Sequence, residues 1–284
     1  MAGKLTVDTI LAQGIARLRE GQAMAAGAHL DAEVLLSHAL TLSRAQIKAH
    51  PEKVVGTEPA QRFARLIERR AAGEPVAYII GYREFWTLRL AVTPAVLVPR
   101  PETELLVERV LALKPEPAVR MVDLGTGSGA IALAVAIERP QWTVTATDVS
   151  TQALSTAHTN AVTHGLERVE FLAGSWFAPL AGRRFDVIAS NPPYIAGGDP
   201  ALADAALKHE PRQALTPGPD GLTCLRKIVH SAPQYLEREG WLVLEHGAEQ
   251  AAALTSELVV RGFGHVRSHR DLAGHERVTE AQWR

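Results

Sequence analysis

The segment Asn191-Pro192-Pro193-Tyr194 has the most specific chemical pattern in the sequence. The Asn191 side-chain oxygen and the Pro192 backbone carbonyl both accept hydrogen bonds, so together they can bind the two N–H bonds of a planar NH₂ group. Consecutive prolines make a rigid turn, because each fixes its own φ. Tyr194 adds a flat face on which a planar amide or base can stack. These residues therefore predict a site that holds an amide-like nitrogen in one place.

A nitrogen of this kind is a poor nucleophile, because its lone pair is delocalised into a carbonyl or a ring. Hydrogen bonds to Asn191 and Pro192 would aim its out-of-plane density at an electrophile and stabilise the positive charge that grows on it. No general base is required, since the proton can leave after the transfer. The alternative is a proline-rich turn that only ends a strand.

A glycine-rich loop, Gly125-Thr126-Gly127-Ser128-Gly129, lies where a first strand should turn into a first helix. Glycines allow the backbone to turn tightly and to approach a ligand without Cβ atoms in the way. Such a loop alone is also typical of a tight strand-to-helix turn with no ligand.

Asp148 ends the second predicted strand, about 20 residues beyond the loop, where a carboxylate can accept hydrogen bonds from both hydroxyls of a ribose. With Ser150 and Thr151 nearby, the alternative is a helix cap. Loop and acid together predict a nucleoside-containing cofactor, either NAD or S-adenosylmethionine. Because hydride transfer has no use for the Asn191 turn, we predict a methyltransferase that uses S-adenosylmethionine.

The elements that must position these residues alternate between strand and helix from about residue 118 onward. This alternation predicts a doubly wound, mostly parallel, seven-stranded α/β sheet of the Rossmann-like class. The fourth strand should lie beside the first at the topological switch point, which brings the Asn191 turn next to the glycine-rich loop. The predicted strands are 119–124, 143–147, 169–172, 185–190 and 241–245, with a closing hairpin at 266–269 and 277–279.

Residues 1–75 show helical spacing of apolar side chains and predict a small N-terminal helical bundle. Thr57 is predicted to cap its third long helix, and Gly73 with Pro75 to end that helix.

Residues 76–99 are predicted as an extended, hairpin-like β connector that Pro94 ends. Residues 100–284 then form the predicted catalytic domain.

The amino-acid composition argues against several classes of function. With 30 basic and 31 acidic side chains and a net charge of −1, the chain lacks the basic excess of proteins held to nucleic acid by phosphate contacts, so no direct nucleic-acid binding is expected. The single cysteine, Cys224, cannot form an internal disulfide, and the absence of a long apolar run argues against a membrane span. A cytoplasmic location is expected. His265 and His269 lack an evident third ligand, so no metal site is expected.

Several further stretches make the chain resemble the release factor glutamine methyltransferase family, called PrmC or HemK. Pro-Arg-Pro-Glu-Thr-Glu at 99–104 is the most discriminating, because the related ribosomal-protein glutamine methyltransferases differ after the Pro-Arg pair. The other matching stretches are 123–132, 174–177, 190–195, 210–211, 214–215, 220–222, 244–247 and 276–278.

The resemblance implies that the substrate is the glutamine of the Gly-Gly-Gln motif in class 1 peptide chain release factors, with S-adenosylhomocysteine as the second product. Gly125 to Gly129 and Asp148 would bind the cofactor, and Trp176 would lie near its adenine end. Asn191 would touch both cofactor and substrate. Arg100 to Thr103 would help close the site, with Glu102 near the sulfonium. The helical domain would contact the release factor away from the reaction centre.

Three alternatives remain from the sequence: glutamine methylation of a ribosomal protein, adenine-N6 methylation of nucleic acid, and a cofactor-binding module without activity. Glu245 is also open, as a pocket carboxylate or as a strand-end residue held by backbone amides.

Overall fold

A computed structural model describes residues 5–20, 27–114 and 116–284. The chain divides into two compact units. The first comprises the described residues up to Gly81 together with Asp204–His209, and the second comprises Tyr82–Ala203 and Glu210–Arg284. Across these described ranges, we find no helix that is long and apolar enough to span a membrane.

Helices make up the first unit, as predicted. Gly14 of the first helix faces Phe63 of the fourth, and a Cβ atom at residue 14 would lie only 2.6 Å from Cζ of the Phe63 ring. Glycine therefore allows these two helices to pack closely around a core that includes Leu18 and Leu35. The helices are α1 (Val7–Glu20), α2 (Ala28–Leu40), α3 (Arg44–Ala49), α4 (Thr57–Ala71) and α5 (Val76–Ile80).

Two details of the N-terminal prediction are wrong. Thr57 is the first residue of α4, and Gly56 is the N-cap residue without a side-chain hydrogen bond. The helix can begin ahead of Pro59, because the first-turn amides have no partner inside the helix and the missing N–H of proline costs nothing there. Residues 76–80 are helical, not extended, and Gly81 with a φ of +84° ends this short helix.

The second unit begins with the predicted hairpin and continues into alternating strands and helices. The hairpin strands β1 (Tyr82–Phe85) and β2 (Leu88–Ala91) pair antiparallel. The remaining strands are β3 (Arg120–Leu124), β4 (Thr143–Asp148), β5 (Glu170–Ala173), β6 (Phe185–Ser190), β7 (Leu236–Glu245), β8 (Gly264–Arg270) and β9 (Glu276–Gln282). The helices are α6 (Thr103–Leu113), α7 (Ala130–Glu138), α8 (Thr151–Thr163), α9 (Thr223–Ser231) and α10 (Ala251–Arg261).

The large sheet has seven strands in the order β5-β4-β3-β6-β7-β9-β8, which confirms the predicted architecture. The first five are parallel, and β9 runs antiparallel to both of its neighbours. Successive side chains of a strand point to opposite faces, so Met121 and Val122 of β3 enter different hydrophobic cores. Helices cover both faces, and the buried, alanine-rich α7 packs closely on one of them.

Glu33 on α2 is a buried carboxylate that holds α3 in the first unit. Its side chain is 3% exposed and lies 2.6 Å from Nη2 of Arg44 and 3.1 Å from Nζ of Lys48. Burial alone would raise the pKa of Glu33, but hydrogen bonds from Arg44 and Lys48 outweigh it, so the pKa lies below its ordinary value. Glu33 is therefore ionised near neutral pH and satisfied by two cations.

Replacing Glu33 with glutamine should lower the free energy of unfolding by about 1–3 kcal/mol at pH 7, because two charge-assisted hydrogen bonds are lost inside the unit. A carboxyl group with a lowered folded-state pKa stabilises above its unfolded pKa of about 4.3, and this contribution disappears as the pH falls through the folded value. Urea unfolding at pH 7 and below pH 4 measures both effects. Glu52→Gln is the control, since the Glu52 side chain is 74% exposed; an equal loss in both variants would contradict this role of Glu33.

Candidate active site

Four neighbouring strands of the large sheet end side by side. Leu124 of β3 pairs in register with Thr147 of β4 and with Ser190 of β6. Ser190 pairs in turn with Leu244 of β7. Ligands of open α/β sheets bind at this carboxyl edge, where the strand order reverses. The residues that follow the paired row are Gly125, Asp148, Asn191 and Glu245.

The glycine-rich loop between β3 and α7 is held open towards this edge. The backbone amides of Gly125 and Thr126 both donate to the Thr147 carbonyl, at 2.8 and 3.0 Å. Gly125 and Gly127 have φ values of +74° and +57°, which side chains rarely tolerate. Apart from Gly127 and its two chain neighbours, no atom of the described residues lies within 4 Å of the position that a Gly127 Cβ would occupy. A ligand can therefore approach the loop backbone at Gly127.

Gly129 has a different role from the other loop glycines. It is the N-cap residue of α7 with a φ of +86°. A Cβ atom there would lie 3.0 Å from Leu133 Cδ1 and 3.3 Å from Ala157 Cβ. Gly129 thus allows α7 to pack against α8, and it does not line the cleft described below.

Asp148 uses both of its carboxylate oxygens to hold neighbouring backbone. Oδ2 accepts from the Gly127 amide at 2.9 Å, and Oδ1 accepts from the Ser150 amide at 2.8 Å. The residue that caps α8 is Ser150, whose Oγ accepts from the Ala153 amide at 3.1 Å. Each carboxylate oxygen keeps further lone pairs, so Asp148 can still accept hydrogen bonds from a diol.

Trp176 lines the same cleft as Asp148. Its backbone has a φ of +52°, a conformation that is uncommon for a large side chain. The Thr147 hydroxyl donates to its carbonyl at 3.1 Å. A Cβ atom on Gly125 would be 3.4 Å from Cζ3 of the indole. The indole therefore lies beside the Gly125 backbone on the wall of the cleft.

Side-chain hydrogen bonds tie the Asn191 turn to three other segments of the chain. Ser190 Oγ donates to the Leu124 carbonyl at 2.7 Å, and Gln250 Nε2 donates to the Tyr194 carbonyl at 2.9 Å. The Tyr194 hydroxyl donates to Oε1 of Glu245 at 3.1 Å. Sequence reasoning did not find Gln250, because a single polar residue before α10 belongs to no motif. The turn is thereby held in one geometry before any ligand binds.

A chain of hydrogen bonds orients the Asn191 amide. Asn191 Nδ2 donates to the Thr103 hydroxyl at 3.1 Å, and that hydroxyl donates to Oε2 of Glu245 at 2.7 Å. Asn191 Oδ1 and the Pro192 carbonyl accept no hydrogen bond from the part of the chain that the structure describes. Two acceptors on adjacent residues therefore remain available to a ligand.

The structure supports neither of the two roles that the sequence left open for Glu245, a pocket carboxylate or a strand-end residue held by backbone amides. It does not line the cleft, and the two groups that bind its carboxylate are side-chain hydroxyls, not backbone amides. Burial raises the pKa of Glu245 to about 7, although hydrogen bonds from Thr103 and Tyr194 oppose the rise. Burial and the Glu245 charge also raise the pKa of Tyr194 above its ordinary value, so its hydroxyl stays protonated.

A single cleft at this edge brings most of the predicted residues together. Glu102, Gly129, Pro192 and Tyr194 are not among its lining residues. Its wall also includes Val96, Ile131, Val149 and Cys224, which the sequence did not predict. The predicted residues that line it are Arg100, Thr103, Gly125, Thr126, Gly127, Ser128, Asp148, Trp176, Asn191 and Pro193.

Arg100 on the wall of this cleft is paired with Glu210. The Glu210 side chain is fully buried and accepts from an Arg100 guanidinium nitrogen at 2.5 Å. Its other oxygen accepts from the Val98 amide at 3.1 Å. Glu210 thus joins the loop before α6 to Pro211, which also lines the cleft. The sequence could not identify Glu210 as the partner of Arg100, because 110 residues separate the two.

The cleft has the features that a nucleoside-bearing cofactor requires. Asp148 offers acceptors for a diol, Gly127 exposes its backbone, and Ile131 and Val149 provide apolar surface for a base. Among the described residues, no group of three or more histidine, cysteine, aspartate or glutamate side chains is placed to hold a metal ion.

Comparison with known proteins identifies the families that the two parts of the chain match. Residues 9–81 match the family described as the PrmC N-terminal domain, and residues 101–222 match the methyltransferase small domain. A solved methyltransferase structure from Pyrococcus furiosus shares the fold, with a TM-score of 0.53 and 19% identity over 78% of this chain and 98% of that chain.

Curated relatives cover nearly the whole chain. The release factor glutamine methyltransferase of Coxiella burnetii is 46% identical over 89% of this chain and 91% of its own length. The release factor glutamine methyltransferase of Pseudomonas aeruginosa is 49% identical over 90% of this chain and 93% of its own length. On this similarity and on the arrangement of its cleft, the chain belongs to the family of the release factor glutamine methyltransferases.

Proposed function

We propose that this protein transfers a methyl group from S-adenosylmethionine to the side-chain amide nitrogen of the glutamine in the Gly-Gly-Gln motif of class 1 peptide chain release factors. The family membership and the names of the relatives support this substrate. Because release factors act in translation, we also propose a cytoplasmic location.

The observation that carries the proposal is the pair of acceptors at Asn191 and Pro192, which accept no hydrogen bond from any described residue. A primary amide has two N–H bonds, and each acceptor can take one of them. As positive charge grows on the nitrogen, both hydrogen bonds strengthen, so they stabilise the transition state more than the bound substrate. Tyr194 provides an aromatic face for the planar amide.

Residues on the other side of the cleft would hold the cofactor. Asp148 would accept hydrogen bonds from the ribose hydroxyls, the backbone of residues 125–128 would face the cofactor's methionine part, and Trp176 would contact its adenine end. When bound, S-adenosylmethionine supplies a methyl group on a positively charged sulfur and leaves as S-adenosylhomocysteine. Arg100 and Glu102 would border the substrate.

The proton balance needs no additional base. The amide nitrogen forms a bond to carbon and then loses one of its two protons, which makes the product a neutral N-methyl amide. Loss of this proton is easy once the nitrogen carries the positive charge, so none of Asn191, Tyr194 or Glu245 has to accept it. The neutral Tyr194 hydroxyl, whose pKa is raised, agrees with a positioning role.

We assign release-factor recognition to the helical residues 1–75, with residues 76–99 as connector and residues 100–284 as the catalytic domain. The catalytic cleft then reads only the glutamine and its near neighbours. On this assignment an intact release factor should have a lower KM than a short Gly-Gly-Gln peptide, with a similar kcat.

Methyl transfer to a purified, unmodified release factor tests the function. The protein is incubated with methyl-labelled S-adenosylmethionine, and the Gly-Gly-Gln peptide is then analysed by mass spectrometry. We expect one added methyl on the glutamine, and none on a release factor in which glutamate replaces that glutamine. Label on a ribosomal protein or on nucleic acid, with none on the release factor, would overturn the proposed substrate.

A further inference from the structure

We propose that Glu245, acting through Thr103, is a positioning residue that sets which end of the Asn191 amide faces the substrate, and so makes the cleft select an NH₂ group over an isosteric carboxylate. This inference rests on the proposed function, and it goes beyond it by assigning substrate selection to Glu245, which does not line the cleft, acting through Thr103, which does.

The hydrogen bond between Thr103 and Glu245 has a fixed direction. An ionised carboxylate has no proton to donate, so the Thr103 hydroxyl must be the donor across the 2.7 Å contact. The same holds for the Tyr194 hydroxyl at the other carboxylate oxygen. Glu245 is 1% exposed and Thr103 is 4% exposed, so bulk water does not compete for these contacts.

The direction of this hydrogen bond determines how the Asn191 amide is oriented. A hydroxyl has one proton, and that of Thr103 is already committed to Glu245. Thr103 can therefore only accept from Asn191, and the atom placed 3.1 Å from its oxygen must be the amide nitrogen. The amide oxygen is then turned away from Thr103 and left for a ligand. A glutamine NH₂ group is bound by this oxygen, whereas a glutamate carboxylate is repelled by it.

Residue 245 must be a carboxylate for this orientation to be the only one. A neutral amide there would have both a donor and an acceptor, so it could donate to Thr103. The Thr103 hydroxyl would then be free to donate to Asn191, whose amide could turn and present its NH₂ group. Only a negatively charged group excludes this second arrangement, and it does so without touching the substrate.

Protonation of Glu245 should have the same effect as a neutral amide at residue 245: the Asn191 amide could then turn and present its NH₂ group. Burial raises the pKa of this carboxyl to about 7, and its charged neighbours are Arg277 of β9, which lowers the pKa, and Glu102 ahead of α6, which raises it. Tyr194 faces it from the Asn191 turn. The carboxylate form is lost as the pH falls through about 7, so kcat should fall with it.

Thr103→Val tests the positioning role, because valine keeps the shape of threonine and removes only the hydroxyl. We expect kcat for the release factor to fall about 10- to 100-fold, with a small change in KM. Thr103→Ser restores the hydroxyl and should recover most of the activity. Thr145→Val is the matched control. Thr145 is a buried threonine of β4 whose hydroxyl donates a hydrogen bond to Glu170, and neither residue lines the cleft.

Glu245→Gln tests the selection itself. A Gly-Gly-Glu peptide serves as a competitive inhibitor, and its inhibition constant is compared with the KM of the Gly-Gly-Gln peptide at pH 8. For each protein, the inhibition constant of the glutamate peptide is divided by the KM of the glutamine peptide. We expect this ratio to be about 10-fold lower for the variant than for the unchanged protein. The fall in kcat near pH 7 should be absent from the variant.

The two hypotheses fail in different ways. If the unchanged protein does not methylate the glutamine, the proposed function is wrong. If it does, and Thr103→Val matches Thr145→Val while Glu245→Gln keeps the original peptide preference and pH profile, the positioning role is wrong. Thermal unfolding of each variant separates loss of folding from loss of orientation, because a folding defect lowers the active fraction without changing the peptide preference.

Discussion

Replacing Asn191 with alanine is expected to lower kcat for glutamine methylation by about 100- to 1,000-fold, the effect typical of removing one transition-state hydrogen-bond acceptor or donor. The amide oxygen of Asn191 has no other partner among the described residues, so its loss leaves one N–H of the substrate unbound. The Ser190, Tyr194 and Gln250 hydrogen bonds remain, and they should keep the turn in place. Single-turnover kinetics at saturating cofactor and release factor measure the effect.

Two controls accompany this variant. Calorimetry with S-adenosylhomocysteine should show an affinity within a few-fold of the unchanged protein, because Asn191 is one of many residues that line the cleft. Gln282→Ala removes another amide side chain, whose hydrogen bond to the Glu239 carbonyl lies at the far end of β9, and it should leave kcat unchanged. A near-normal kcat for Asn191→Ala would rule out the proposed binding of the substrate NH₂ group.

Much of the fold could be predicted because its determinants are local. Apolar runs such as residues 120–124 and 185–190 are bounded by turn residues, and alternation with helices implies a parallel sheet. The start of β7 was missed, because Glu237, Arg238 and Glu239 interrupt the apolar pattern with charge, and Glu239 has a φ of +62°. The prediction therefore began at Trp241, where the apolar run resumes.

The site was predictable only where one segment of the chain carries the chemistry. The glycine-rich loop and the Asn191 turn each show acceptors, glycines and prolines at fixed short spacing. The groups that orient Asn191 come from sequence-distant segments: 88 residues separate it from Thr103, and 142 separate Thr103 from Glu245. No spacing rule links such residues, because only the register of β6 and β7 brings residues 191 and 245 together.

Replacing Asp148 with alanine should weaken binding of S-adenosylhomocysteine about 10- to 100-fold, because charge-assisted hydrogen bonds to the ribose hydroxyls are lost. The same change also frees the amides of Gly127 and Ser150, which Asp148 holds at 2.9 and 2.8 Å. A weaker affinity alone would therefore not separate a ribose contact from a loosened loop. Calorimetry at several salt concentrations gives the affinity, and Asp186→Ala is the control, since Asp186 holds the Arg120 amide at the opposite end of the sheet.

A ligand without the two ribose hydroxyls resolves this ambiguity for Asp148. If Asp148 binds those hydroxyls, the dideoxy analogue of S-adenosylhomocysteine should bind weakly to the unchanged protein. Its affinity should then fall little further in the Asp148→Ala variant. If Asp148 only supports the loop at Gly127, both ligands should weaken by the same factor. The two proteins and the two ligands form a thermodynamic cycle. Its coupling free energy measures the direct contact between Asp148 and the hydroxyls, because effects that act through the loop weaken both ligands equally and cancel. A coupling near zero would remove Asp148 from ribose binding and leave it as a support of the loop.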